Sequence, residues 1–159
     1  MNDIRKTLLA IATVGLLGVA APAFADSNTA YIAQTGNNGT ASQDQSGGNL
    51  NTASITQAGS YDSSYVTQVG SSNWAAQAQR AAGSNNSAVL YQGGVYNTSF
   101  QDQTGNNNVA STVQYNSGNT ASLTQNGNWN QGYILQQTNN DFATISQSGA
   151  SNFATVHQH

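Results

Sequence analysis

The side chains able to make or break bonds are few in this 159-residue chain, and they do not gather. There is no Glu and no Cys. The acids are Asp3, Asp26, Asp44, Asp62, Asp102 and Asp141, the bases Arg5, Lys6 and Arg80, and the histidines His157 and His159. Glycoside cleavage calls for two carboxyl groups across a bond, or an acid beside a cation, and Arg80 is the one cation outside the first few residues. A Ser/His/Asp relay needs a histidine held within the fold, whereas both histidines stand at the extreme C-terminus. His157-x-His159 offers two metal ligands, and a closed zinc site takes four. No catalytic, cofactor-binding or metal-binding residues are assigned, and the chain is read as something other than an enzyme.

The abundant chemistry is that of the amide. The chain holds 38 Asn and Gln, and charged residues are only 6% of it, against about 25% in ordinary domains. A carboxamide carries two N–H donors and an acceptor, so burying it alone is costly. Stacked in register on copies of itself, it can satisfy them all. The spacing is regular: Gln34, Gln45, Gln57, Gln68, Gln79, Gln92, Gln103, Gln114, Gln125, Gln136, Gln147 and Gln158 follow one another at 11 residues in nine intervals of eleven. Six residues before these Gln stand Asn28, Gly39, Asn51, Asp62, Asn73, Asn86, Asn97, Asn108, Asn119, Asn130, Asp141 and Asn152. Ala is usual four before, an aliphatic residue two before, and Gly two after. The unit is therefore N-x-A-x-(aliphatic)-x-Q-x-G, repeated twelve times over residues 28–158.

The elements that must position these amides follow from the period. Alternation at every second residue is the strand signature, and a Gly after each Gln can supply a positive φ for a tight turn. Each unit reads as a strand of about 7 residues and a turn of about 4. Two units make one rung, and rungs climb by the strand spacing of about 4.8 Å. The expectation is an all-β chain: a β-solenoid, cross-β in arrangement, of about six strand-turn-strand rungs with two facing parallel sheets. The Asn and Gln point inward and stack rung on rung, each amide bonding to its copies above and below. Longer intervals near Gly48–Asn49 and Gly83–Asn85 fall in turns, where insertions are absorbed. Tyr31, Tyr65, Trp74, Phe100, Tyr133, Phe142 and Phe153 fall on the outward faces, where cross-strand packing accounts for them. A flat ice-binding array would need one residue type outward, and the outward residues are mixed.

Residues 1–25 differ from the rest. Arg5 and Lys6 precede an apolar run from Leu8 to Ala21, and Ala23-Phe24-Ala25 forms a small-residue cleavage signal. This reads as a secretory signal peptide cut between Ala25 and Asp26, leaving residues 26–159 as the repeat domain. The run is shorter than the roughly 20 residues a membrane span requires, and no other apolar run in the sequence is as long. The processed chain would carry Arg80 against five Asp, which excludes nucleic-acid binding by phosphate neutralisation. Without Cys there can be no disulfide framework.

A solenoid exposes strand edges at its two ends, and natural sheets usually block such edges with Lys, Pro or a cap. The last two units, DFATISQ and NFATVHQ, keep the consensus and carry no Lys or Arg. An open, repetitive edge templates another copy, and a contact that does not close on itself yields a filament. The tandem N-x-A-x-(aliphatic)-x-Q-x-G unit after a signal peptide, and the closing ATVHQH, resemble the curlin repeats of bacterial curli fibres. The resemblance implies an extracellular amyloid subunit that builds biofilm matrix and mediates adhesion, more like the major than the minor, nucleating subunit. It also implies passage through an outer-membrane secretion pore, a nucleating paralogue as partner, and moderation of aggregation by Asp and Gly in some units. The rival reading is a β-solenoid that binds ice or carbohydrate without polymerising.

Overall fold

A computed structural model describes residues 8–12, 27–80 and 83–159. Leu8–Ala12 forms strand β1. Twelve further strands follow: β2 Thr29–Gln34, β3 Thr40–Ser46, β4 Thr52–Gln57, β5 Ser63–Ser71, β6 Trp74–Gln79, β7 Ser87–Val95, β8 Thr98–Thr104, β9 Val109–Gln114, β10 Thr120–Asn128, β11 Gln131–Gln136, β12 Phe142–Ala150 and β13 Phe153–Gln158. One parallel sheet runs β1-β2-β4-β6-β8-β10-β12 and the other β13-β11-β9-β7-β5-β3. Even and odd strands thus alternate between two sheets, and β2 to β13 make six rungs of a β-solenoid.

Register follows the repeat without slippage. Gln34 pairs with Gln57, Gln57 with Gln79, and Gln103 with Gln125 in the first sheet. Gln45 pairs with Gln68, and Gln136 with Gln158, in the second. The Ala four before each Gln, or the Ser or Gly in its place, faces inward. That small position lets the two sheets close on each other, and Ala53, Ala75 and Ala88 are buried. The inward aliphatic residues form two clusters. One gathers Ile55, Val66 and Leu90, with Ile32 packed against them. The other gathers Leu123, Ile134 and Ile145, with Val156 packed against them. Between the clusters the aliphatic position is polar: Gln77 donates to Gln101 at 2.8 Å, and Gln101 donates to Thr112 Oγ1 at 2.9 Å.

The turns differ from the sequence-based expectation. Most of the Gly two after Gln do take positive φ, between 74° at Gly47 and 149° at Gly36, but Gly59 is not among them. The invariant feature lies elsewhere. The residue just before each Asn-type position is left-handed in all twelve units, and in eleven it is not Gly: Ser27, Asn38, Leu50, Tyr61, Ser72, Asn85, Tyr96, Asn107, Trp129, Asn140 and Ser151, with Gly118 the exception. Such a conformation costs a bulky residue about 1–2 kcal/mol. Stacking offsets it, because the left-handed residue turns its N–H onto a carbonyl of the preceding rung. Tyr61 donates to Asn37, Tyr96 to Ser71 and Trp129 to Asn106 in this way.

β1 lies parallel to β2, Leu8 against Ala30 and Ala12 against Gln34. It is the only described part of the segment read as a signal peptide; the rest, including the Ala25–Asp26 cleavage site, lies outside the described residues.

Candidate functional site: the amide ladders and the end rungs

The Gln side chains make two continuous columns. In the first sheet Gln34 donates to Gln57, Gln57 to Gln79 at 2.8 Å, Gln79 to Gln103 and Gln103 to Gln125 at 3.0 Å, and Gln125 to Gln147 at 2.9 Å. In the second, Gln45 donates to Gln68 at 2.7 Å and Gln68 to Gln92 at 2.8 Å, with Gln114 and Gln136 following at 2.9–2.9 Å toward Gln136 and Gln158. Gln92 joins Gln114 at 2.9 Å. The second N–H of each interior Gln reaches across to a backbone carbonyl of the opposite sheet: Gln57 to Thr40, Gln103 to Ser87, Gln125 to Val109. The Gln therefore ties rung to rung and sheet to sheet at once. It also has one orientation only. A nitrogen is needed where two acceptors converge, so every Nε2 points toward the C-terminal rung and every Oε1 toward the N-terminal one.

The Asn side chains stack differently from the Gln. Sequence reasoning has amide bonding to amide in both columns, and Asn73, Asn108 and Asn152 do donate from Nδ2 to the Oδ1 of Asn51, Asn86 and Asn130 at 3.1, 3.1 and 2.9 Å, but Asn Oδ1 also accepts the backbone N–H of the Asn one rung on. Asn73 N–H donates to Asn51 at 3.0 Å, Asn97 to Asn73 at 3.0 Å and Asn130 to Asn108 at 3.0 Å. Its Nδ2 donates to a turn carbonyl three residues before that next Asn: Asn73 to Gly94 at 2.9 Å, Asn108 to Gly127 at 2.8 Å, Asn130 to Gly149 at 3.0 Å. The shorter side chain cannot reach across the core, so it clasps the turn. Asn51, Asn86 and Asn119 are buried in the same column role, and Asn28 and Asn152 stand half-buried at its ends.

Two acids replace Asn. Asp62 is buried; its Oδ1 accepts from Asn86, and its Oδ2 has no partner. Burial pushes its carboxyl above the usual range, partly offset by the hydrogen bonds from Asn86. Asp141 lies near the C-terminal end, where Thr138 Oγ1 donates to it at 2.8 Å and Asn119 Oδ1 accepts its N–H at 2.8 Å. Gly39 leaves its place in the column without a side chain.

The glycine column explains a second requirement of stacking. A Cβ on Gly105 would lie 2.0 Å from the Gly127 carbonyl oxygen, and one on Gly127 would lie 1.9 Å from that of Gly149. On Gly149, in the last rung, a Cβ would meet nothing nearer than Asn152 Nδ2 at 3.7 Å.

The end rungs are where these columns stop. Gln147 and Gln158 each donate one N–H, to Gln131 and Phe142 carbonyls at 2.9 and 3.0 Å, and no described residue takes the other. At the opposite end, the Oε1 atoms of Gln34 and Gln45 receive no donor among the described residues. Ala154, Val156 and Gln158 are only half-buried, whereas the equivalent residues one rung back are buried.

The charged residues stand apart from the columns. Arg80 grips Asp102 through Nε and Nη2, the shortest contact 2.6 Å. His157 and His159 stack at 4.9 Å, with His157 Nε2 3.0 Å from Gln137 Oε1. Among the described residues, no group of three His, Cys, Asp or Glu could hold a metal ion, and no helix is long and apolar enough to cross a membrane.

The model of the curlin associated repeat family matches residues 48–80 and 117–149, stretches that span β4–β6 and β10–β12. No curated protein and no solved structure matched the chain. Those two stretches share the ladders, clasped turns and rung register of the remaining units, and they are similar to the curlin associated repeat.

Proposed function

We propose that this chain is a structural subunit, exported after removal of residues 1–25, that polymerises end to end into extracellular curli-type amyloid fibres. The observation that carries this reading is the complementarity of the end rungs. The C-terminal rung offers unfilled Gln N–H donors and the open strands β12 and β13. The N-terminal rung offers unfilled Gln oxygens and the open strand β3. A second copy satisfies both, and because donor meets acceptor in one orientation the contact repeats without closing. Processing after Ala25 also removes β1 and frees the edge of β2. The abundance of the consensus in all twelve units favours the major, fibre-forming role in biofilm matrix and surface adhesion. A nucleating paralogue and an outer-membrane secretion pore are the expected partners.

The test is a thioflavin T time course on residues 26–159, which contain all six rungs, diluted from denaturant with and without preformed fragments. The expected trace has a lag that fragments abolish. A flat trace from a folded, soluble monomer would instead favour a solenoid that binds without polymerising.

A further inference from the structure

Every odd strand keeps one register, with Gln over Gln and each outward residue over its counterpart. The outward column one residue before each Gln reads Asp44, Thr67, Tyr91, Val113, Leu135, His157 from the first rung to the last. Its two ends are exposed groups of opposite charge type, and its interior holds none. In a single copy Asp44 and His157 stand five strand steps apart, roughly 24 Å at the usual spacing, too far to interact.

We infer that copies join with the last rung of one against the first rung of the next, in the register of the interior rungs, so that His157 of one copy meets Asp44 of the next across the joint. This rests on the polymerisation proposed above and specifies its geometry. Three features of the same joint agree with it. Gln158 and Gln147 direct their spare N–H groups at Gln45 and Gln34 of the incoming copy. The Asp141 carboxylate lies where the incoming Asn28 N–H must find an acceptor, as Asn119 Oδ1 accepts from Asp141 itself at 2.8 Å. Gly149 leaves open the space that an incoming turn carbonyl fills in every interior rung. Around the His157–Asp44 contact the column neighbours are Leu135 and Thr67, the flanking outward residues are Thr155, Ser42 and Ser46, and the other titratable groups are the His159 imidazole and the terminal carboxylate of residues 26–159. A shifted register would take His157 off Asp44, and a contact between like ends would bring His157 toward His157 or Asp44 toward Asp44. The pair therefore selects one polarity as well as adding attraction.

The experiment is seeded elongation of residues 26–159 at pH 5.5 for four proteins: the natural sequence, Asp44→His, His157→Asp and the double exchange, each on its own fragments. Both single variants are expected to elongate several-fold more slowly, because each sets like groups together. The double exchange should return to within about two-fold of the natural rate, as expected for an exposed pair of modest strength. Thermal unfolding of the monomers should be unchanged, since both side chains are exposed. Rescue by the double exchange supports the joint, because within one copy the two positions cannot couple. Single variants that elongate normally, or losses that add without rescue, overturn the joint while leaving polymerisation intact. Failure of the natural sequence to elongate on its own fragments overturns polymerisation itself and the joint with it.

Discussion

At the scale of single residues, the fold rests on amides that are buried only because they are continuous. Gln103 takes the N–H of Gln79 and gives one to Gln125. Gln103→Leu would leave a donor and an acceptor buried without partners, at about 1–3 kcal/mol for each unsatisfied group. The expected outcome is a loss of about 2–4 kcal/mol in a denaturant titration. Asp62 is the converse case, an acid already in a column built for amides. Its raised carboxyl means that the stabilisation linked to its protonation is complete at low pH and is lost as pH rises through the folded value. Protonated, its Oδ2 can donate as an Asn Nδ2 does in other rungs. Asp62→Asn is therefore expected to stabilise the solenoid at pH 7 by about 1–3 kcal/mol. The gain should vanish near pH 3, where both proteins present a donor; a gain independent of pH would dismiss the titration account. The Gln and Asn positions are legible in the sequence because the 11-residue count exposes them. The clasping role of Asn is not, because it depends on how far a side chain reaches from a turn whose shape the repeat does not state.

At the scale of the element, the strand and the turn have different tolerances. Strand alternation follows from side-chain polarity, and all twelve strands stand where the repeat places them. The turn is dictated by stacking. Gly105 and Gly149 have nearly equal φ, 104° and 102°, so replacing either by Ala meets a similar backbone penalty. Only at Gly105 does the new Cβ strike a carbonyl of the same chain. Gly105→Ala is expected to destabilise the monomer by several kcal/mol more than Gly149→Ala in parallel thermal melts, as overpacking against backbone requires. Gly149→Ala should instead act on seeded growth, where the incoming rung supplies the carbonyl. Equal melting losses for the two would mean that φ strain alone governs the column. The left-handed residues escape the sequence entirely: Tyr61, Tyr96 and Trp129 are poor candidates on local preference, and hydrogen bonds to the preceding rung hold the conformation.

At the scale of the whole molecule, the solenoid is a short segment of a column whose ends resemble its middle. A cation placed in the terminal ladder by Gln147→Lys would be buried without a counter-charge once a second copy covers it. Elongation should fall by more than ten-fold, while the monomer loses only about 1–3 kcal/mol for the Gln125 N–H left without the Gln147 oxygen. Ser122→Thr, on an outward face, should change neither by more than a small margin; a large effect would mean that the faces are reversed.

Sequence alone determined the strand count of the repeat region, the rung length, the inward set and the register, because a period-two pattern locked to an 11-residue repeat admits one pairing that keeps amide on amide; β1 lies outside that count. Only the tertiary structure decided what depends on groups from different rungs meeting. These are the direction of every Gln donor, the Asn clasp on the turn, the unpartnered oxygen of Asp62, and the placing of Asp44 and His157 at opposite ends of one column. Each arises from contacts between residues about 22 positions apart, which a local pattern can count but cannot orient.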